Sequence, residues 1–406
     1  MEKPMQAVLM VAGKSTRTFP LTLTRPKPLL PIMNRPLIYH SLDQLAGLFD
    51  EIILITGYRK EMIEARLGNE YRGMKIIYQE QKKQLGTGHA LLQAKPHIHD
   101  KFVAMNGDDI FARIDLEHIL TYEYAVLVKQ VQNPALYGVY QVDEKNRVLN
   151  LVEKPKEFIG DLANIGCYVL QADFFEELEN TALSERGEIE VTSAVYSMAQ
   201  KRDIYAIPIQ GFWLPTGFSW DLLNHQQLLM KDVQSDIKGV IEQGVLLKGP
   251  VSVGVNTTIK SGVYIEGPVV IGDNCEIGPN CYLRPYTAIG DNCRIGQSVE
   301  IKCSLIMPDC FIQHLSYVGD SIVGQGSRLG AGTITANRRH DGESPRSKIR
   351  GVLVDTRRDK MGAILGDGVQ TGIHTAIYPG RKIWPNMQTS PGAIVDDDMI
   401  PNDFTW

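Results

Sequence analysis

The sequence predicts an α/β chain in two parts, a doubly wound domain over residues 1–238 and a parallel β-helix over 239–406. Three observations carry this. Short apolar runs alternate with helical patterns in the first part, which is the signature of parallel strands linked by crossover helices. From Ile241 onward an aliphatic residue recurs every six positions. Glycine is redistributed as well, with 14 in residues 1–238 and 23 in the shorter remainder, so the second part turns far more often.

In the first part, Gln6–Ala12, Glu51–Thr56 and Lys75–Gln79 are runs suited to buried strands, and Phe102–Asn106 is another, ending at Gly107-Asp108. Helical patterns fill Pro36–Leu48 and Lys60–Leu67. Ligands of such sheets collect at the carboxyl ends of the strands.

In the second part the hexad positions are Ile241, Leu247, Val253, Ile259, Ile265, Ile271, Ile277, Leu283, Ile289, Ile295 and Ile301. The phase slips by one to Ile306, Ile312 and Val318, and again to Val323 and Leu329. Neither an α-helix nor an alternating strand has that period, whereas a β-helix does. Each aliphatic residue is expected to point inward at a corner of the coil, with Gly272-Asp273-Asn274 and Gly290-Asp291-Asn292 as bends. Cys275 and Cys293, three hexads apart, should stack as small wall residues about 4.8 Å apart. Residues 337–360 break the repeat with eight basic and four acidic residues. A long excursion from a solenoid is often functional, and its positive charge suits phosphates. The acidic run Asp396-Asp397-Asp398 is expected to cap the open end.

Composition narrows the function classes. Lys plus Arg total 42 against 47 Asp plus Glu, a net charge of −5, which disfavours nucleic acid as a partner. No run approaches the roughly 18 apolar residues of a membrane span, and no signal-peptide pattern opens the chain, so a cytoplasmic location is expected. Six dispersed cysteines without a C-x-x-C spacing make neither a disulfide framework nor a zinc site.

The first strand leads into Ala12-Gly13-Lys14-Ser15-Thr16-Arg17, then Arg25-Pro26-Lys27-Pro28-Leu29-Leu30-Pro31. A small-residue loop after a strand can turn backbone N–H groups toward phosphates, and Arg17 and Lys27 add fixed charge. Further on come Gln84-Leu85-Gly86-Thr87-Gly88-His89-Ala90, Asn106-Gly107-Asp108, Tyr137-Gly138, Glu153-Lys154-Pro155 and Asn164-Ile165-Gly166. In order and spacing, residues 6–222 resemble the sugar-1-phosphate nucleotidyltransferases, which implies a Rossmann-like domain with a mixed, mostly parallel sheet. In that chemistry a sugar 1-phosphate oxygen attacks the α-phosphorus of a nucleoside triphosphate and pyrophosphate leaves. The nucleophile is already anionic, so the demands are charge neutralisation and in-line placement rather than a base.

The resemblance implies Arg17 and Lys27 as catalytic cations and Ala12, Gly13, Ser15, Thr16, Gln81, Gln84, Gly86 and Thr87 as nucleotide-binding residues. It implies Gly138, Glu153, Lys154 and Asn164 on the sugar phosphate and Asp108 on Mg²⁺. The segment from Gln81 to Thr87 is similar to a uracil-reading loop, so UTP is expected, with dTTP separated from it by one methyl group. His89 is expected to be structural. Two departures stand out: Ser15 replaces a glycine usual in the family motif, and Pro215 stands where many relatives carry a second metal-binding aspartate.

Residues 240–395 resemble the left-handed β-helix acyltransferases, above all the acetyltransferase half of bifunctional enzymes that make UDP-N-acetylglucosamine. The shared segments are Leu283-Arg284-Pro285, Val299-Glu300-Ile301-Lys302, His314 through Asp320, and Gly330 through Asn337. Acetyl transfer needs a neutral amine to attack a thioester, and a histidine can take the proton. The resemblance implies His314 as that base, Arg284, Lys302, Tyr317 and Asn337 on the sugar phosphate, and Ala331, Lys348 and Ala363 on acetyl-CoA. Arg328 departs from the asparagine frequent in relatives, and a cation facing a protonated amino sugar would repel it. The run from Val354 to Gly362 is similar to the archaeal form of these enzymes.

The reading is therefore a bifunctional sugar-1-phosphate nucleotidyltransferase and hexosamine-1-phosphate N-acetyltransferase. It would use a nucleoside triphosphate, a sugar 1-phosphate, acetyl-CoA and Mg²⁺, and by family likeness would form a homotrimer. Two alternatives remain at this level: a monofunctional glucose-1-phosphate thymidylyl- or uridylyltransferase with a scaffolding β-helix, and a regulatory subunit that binds nucleotide sugars without turnover.

Overall fold

The computed structural model describes residues 4–184 and 186–405. Backbone contacts divide the chain into two compact units. The first gathers the residues up to Lys14, Pro26–Leu29 and Leu37–Pro215; the second gathers Ser15–Arg25, Leu30–Pro36 and everything from Thr216.

The first unit is built on a mixed sheet. Its parallel centre pairs Gln6–Met10 with Glu51–Thr56 on one side and Phe102–Asn106 on the other, and Glu51–Thr56 pairs on with Met74–Glu80. Antiparallel strands extend it, since Leu162–Leu170 pairs with Phe102–Asn106 and then with Gly138–Val142, which pairs with Val148–Glu153. Successive residues of a strand face opposite ways. Ala7, Leu9, Ile52 and Leu54 accordingly join one apolar cluster with Ile38, Leu42 and Ile63 of the helices Leu37–Leu45 and Lys60–Leu67. Val8, Ile53 and Ile55 join the other, with Leu91 and Val195 of the helices Thr87–Leu92 and Val191–Ala199. Helices therefore cover both faces, and apolar runs without alternation are what a doubly covered sheet needs. The first strand ends at Met10 rather than Ala12, and the first helix begins at Leu37 because Arg35–Pro36 pairs with Pro31–Ile32.

In the second unit the hexad produces three parallel sheets that stack coil upon coil, a β-helix of the left-handed type. One interior column runs Ile241, Ile259, Ile277, Ile295, Ile312, Leu329. A second runs Leu247, Ile265, Leu283, Ile301, Val318, Thr335, and a third Val253, Ile271, Ile289, Ile306, Val323. The phase slips are coils one residue shorter: Ile289 pairs with Ile306, whereas Ile271 pairs with Ile289.

One detail differs from the sequence expectation. The aliphatic residues lie on the short strands, and small polar or thiol side chains line the turns between them. Cys275, Cys293 and Cys310 occupy such turns, fully buried, with Sγ donating to the Gly290, Met307 and Gly324 carbonyls of the next coil. Burial and the neighbouring thiol hold Cys275 well above the ordinary thiol range, so this stack is inert wall.

The excursion lies between Ile322–Val323 and Ile364–Leu365, which pair as adjacent coils despite the residues between them. It contains a hairpin, Arg346–Ile349 against Val352–Asp355. The acidic tail does more than face water: Asp397 pairs with Lys348 at 2.5 Å, and Asp398 Oδ1 accepts the Lys382 backbone N–H. The two N-terminal segments assigned to this unit are tied to its coils as well. Arg25 pairs with Asp367 at 2.5 Å, and Asn34 Nδ2 donates to the Ile289 carbonyl.

Candidate active sites

In the first unit the candidate site gathers at the carboxyl ends of the parallel strands. Asp108 follows Phe102–Asn106 across a tight Gly107 turn, where a Cβ would lie 2.4 Å from Val11 Cγ1. The Lys27 ammonium donates directly to the Asp108 carboxylate. Lys27 is buried, while the side chain of Asp108 stays 31% exposed. Its neighbour Asp109 is buried and accepts the Trp213 Nε1–H at 3.1 Å, a role the sequence did not suggest. Pro215 pairs with Asp109 in the strand Trp213–Pro215, and a proline there offers no side-chain oxygen.

Gln84 Nε2 donates to the Ala12 carbonyl at 2.7 Å, joining the segment after Met74–Glu80 to the end of the first strand. Gln81 is buried and donates to the Gly86 carbonyl at 3.1 Å, and it contacts His89 Nδ1 at 3.0 Å. His89 thus braces the loop. Gly86 has φ +102 and no room for a side chain beside the Ile189 carbonyl, and Thr87 Oγ1 accepts the Val191 N–H. Gly13 is exposed just beyond the first strand.

The sugar side is similarly built. A Cβ on Gly138 would lie 2.8 Å from Glu153 Oε2, so the glycine leaves space for that carboxylate. Lys154 is exposed with φ 46, and Asn164 is held by Tyr168, Nδ2 donating to the phenol oxygen at 2.9 Å.

Ser15, Thr16 and Arg17 belong to the second unit. Ser15 adopts φ 54, ψ 52, the left-handed conformation that glycine takes without cost. Arg17 is exposed, with its guanidinium 5.7 Å from the Phe218 ring. Thr16 Oγ1 accepts from Arg350 at the hairpin tip at 2.7 Å. Asp221, the acid nearest to Pro215 in sequence, accepts the Gly217 and Phe218 N–H groups at 2.9 and 2.7 Å, a turn-closing role.

The second candidate site lies on the outer face of one β-helix sheet. Arg284 and Lys302 stand one step beyond the paired Leu283 and Ile301, at the same position on successive coils. Arg284 pairs with Glu300 at 2.9 Å and stacks on Tyr282. Tyr317 follows on the next strand, and its hydroxyl accepts from Asn337 Nδ2 at 3.0 Å; burial holds its pKa above the ordinary phenol value. His314 is exposed at the turn between Phe311–Ile312 and Tyr317–Gly319. Arg328 lies in another sheet, in register with Phe311 and Gln370, and so off the face of Arg284 and Lys302. The three residues expected on acetyl-CoA have different surroundings. The Ala331 carbonyl accepts from His374, Lys348 pairs with Asp397, and Ala363 is fully buried in the coil interior.

Among the described residues no cluster of three or more His, Cys, Asp or Glu could hold a metal ion. Magnesium needs less from a protein: one or two carboxylates, with substrate phosphates and waters completing its shell. The partly exposed Asp108 carboxylate fits that demand.

A lysine at the carboxyl ends of a parallel sheet, and a β-helix with a cation-bearing face, are features suited to a transferase acting on phosphorylated molecules. Residues 6–232 match the nucleotidyl transferase family, and residues 265–391 match the GMPPB C-terminal domain. The chain is 41% identical over 402 residues to the bifunctional protein GlmU of Methanocaldococcus jannaschii, covering 99% of this chain and 97% of the relative. It is 45% identical over 406 residues to that of Methanococcus maripaludis, with the same coverage. A bifunctional sugar-1-phosphate nucleotidylyltransferase/acetyltransferase of Sulfurisphaera tokodaii is 38% identical over 405 residues, covering 98% of this chain and 99% of the relative. A solved UDP-glucose pyrophosphorylase complexed with UDP-glucose covers 56% of this chain and 99% of its own, at 24% identity and TM-score 0.52, and supports the fold. The chain belongs to the family of bifunctional sugar-1-phosphate nucleotidylyltransferase/acetyltransferases. No helix among the described residues is long and apolar enough to cross a membrane.

Proposed function

We propose that the chain converts a hexosamine 1-phosphate to a nucleotide sugar in two steps, N-acetylation by acetyl-CoA followed by uridylyl transfer from UTP, with dTTP as a second nucleotide. The functional halves are residues 1–238 and 239–406. The observation that carries this reading is the occurrence of two cation-bearing sites in one chain, Lys27 with Asp108 and Arg284 with Lys302. Both substrates are anionic, and fixed cations of this kind are what they require.

In the transfer at phosphorus, Arg17 and Lys27 neutralise the triphosphate and Lys154 the sugar phosphate, so that a phosphate oxygen attacks the α-phosphorus as pyrophosphate departs. The loop of Ala12, Gly13, Ser15 and Thr16 donates backbone N–H groups to the phosphates. Gln81, Gln84, Gly86 and Thr87 form the base-reading loop, and Gly138, Glu153 and Asn164 orient the sugar. Magnesium would be held by Asp108 and would supply charge neutralisation at the phosphates.

In the acetyl transfer, the amine attacks the thioester carbon, His314 takes the amine proton and coenzyme A leaves as the thiol. Arg284, Lys302, Tyr317 and Asn337 hold the sugar phosphate, while Ala331, Lys348 and Ala363 mark the acetyl-CoA side. The active form is a cytoplasmic homotrimer; the exposed Leu246, Ile334 and Ile394, all on one β-helix sheet, support burial against other copies.

Pyrophosphate release from UTP and N-acetylglucosamine 1-phosphate tests the first half, and thiol release from acetyl-CoA and glucosamine 1-phosphate tests the second. His314→Ala should abolish thiol release and leave pyrophosphate release intact. Lack of turnover with any nucleotide and sugar phosphate, or thiol release that survives His314→Ala, defeats the respective half.

A further inference from the structure

The most connected buried acid of the second unit is Asp320, whose side chain is 5% exposed. A carboxylate so far from water needs partners. Asn337 Nδ2 donates to it at 2.7 Å, Lys302 Nζ at 3.3 Å, and an Arg358 terminal nitrogen stands 3.8 Å away. The same Asn337 nitrogen reaches the Tyr317 hydroxyl at 3.0 Å. The backbone is held as well, since Asp320 N–H donates to the Lys302 carbonyl and Gly362 N–H to the Asp320 carbonyl. Three of the four side chains assigned to the sugar phosphate thus meet, directly or through Asn337, at one acid.

Arg358 comes from the excursion between coils, and its side chain is 8% exposed. Its guanidinium also donates to Asn224 Oδ1 and, through Nε, to the Lys360 carbonyl at 3.2 Å. The Cys303 thiol beside it, 3.7 Å away, accepts from Gln227 Nε2. A guanidinium enclosed in this way is fixed and has no freedom to follow a ligand. Lys302 keeps 19% of its side chain exposed. Lys360 lies beside Lys302, and the repulsion holds the Lys360 ammonium below its ordinary pKa. Positive charge around Asp320 therefore exceeds what one carboxylate neutralises, a surplus that suits a phosphate dianion.

We propose that Asp320 is a positioning residue of the acetyl-transfer site, holding Lys302 and Asn337 in place for a hexosamine 1-phosphate, with Arg358 as the buried cation beside the acid. This rests on reading that face as the acetyl-transfer site, and it makes the excursion part of the site. Removing the acid leaves Lys302, Lys360 and Arg358 to repel one another, and Lys302 then swings toward solvent. Removing Arg358 leaves a buried carboxylate undercompensated, which is the costlier kind of loss.

The test uses the full chain carrying Lys154→Ala, which silences the sugar-phosphate cation of the first unit. Glucosamine 1-phosphate binding is measured by calorimetry, with thiol release and melting temperature in parallel. Asp320→Asn should raise Kd and KM for glucosamine 1-phosphate about tenfold or more, with kcat and the acetyl-CoA KM within about threefold. Arg358→Met should do the same, and Arg358→Lys should recover part of the loss. The double variant Asp320→Asn/Arg358→Met should regain melting temperature without regaining affinity, because it restores neutrality but not placement. A lower melting temperature with Kd within about twofold overturns the proposal and makes Asp320 purely structural. If the Lys154→Ala chain binds glucosamine 1-phosphate without acetylating it, the acetyl-transfer reading falls, while the Kd comparison still decides the role of Asp320. Absence of binding in that chain overturns both.

Discussion

Each unit carries a lysine–aspartate pair at its candidate site, with the burial of the two partners reversed. In the first unit Lys27 is 6% exposed and Asp108 31%; in the second Lys302 is 19% exposed and Asp320 5%. The buried member of each pair is held by its surroundings, and the other keeps more of its side chain open to solvent. In the first unit that is an oxygen donor suited to a divalent cation, and in the second an ammonium suited to a phosphate. The same ion pair thus opens opposite partners to solvent, depending on which one the fold encloses.

Four experiments can break or sharpen this contrast. Asp108→Asn removes the exposed acid and should lower pyrophosphate release by about two to three orders of magnitude, with thiol release unchanged; equal loss of both reactions would show that the units do not act separately. Lys302→Met removes the exposed base and should raise the KM for glucosamine 1-phosphate by about tenfold or more, with pyrophosphate release as the internal reference. The two interiors can be compared through Ile301→Ala and Leu54→Ala, both at fully buried positions. Each should cost about 2–5 kcal/mol by denaturant unfolding, and a loss under about 1 kcal/mol would mean the site collapses around the gap.

The smallest effect is electrostatic. Burial lowers the pKa of Lys382 from the ordinary 10.5 to about 8, with Asp398 opposing the shift, Arg381 adjacent and Trp220 within cation–π range. Between those values the unfolded chain binds more protons than the folded one, so stability rises with pH from about 8 to about 10.5. The stability gained by Lys382→Met should therefore be largest near neutral pH and shrink in alkali. A gap that widens with pH would reverse the assignment.

Much of the fold was legible because its periods are simple. The six-residue recurrence reappears as interior columns, and even its slips correspond to coils one residue shorter. Glu51–Thr56 and Phe102–Asn106 were readable as unbroken apolar runs because both faces of the sheet are covered. Side-chain partnerships were less legible. Nothing in the pattern shows that Asp109 takes the Trp213 N–H, or that Arg358 returns from the excursion to face Asp320, since such contacts join residues far apart in sequence. Nor did the hexad show that Arg328 lies in register with Phe311 and Gln370, in a different sheet from Arg284 and Lys302. Ser15 is a further case: nothing in the pattern shows that this serine takes a left-handed backbone angle.

Ile322–Val323 pairs with Ile364–Leu365 as though nothing separated them. A coil bonds only to the coils on either side, so chain can be let out at a corner without disturbing the register elsewhere. Lengthening such an outgrowth costs little entropy, about 0.6 kcal/mol per doubling. The prism can therefore be treated as a rail, on which a designer could shorten, exchange or relocate the appended hairpin one corner at a time and expect the scaffold to fold as before.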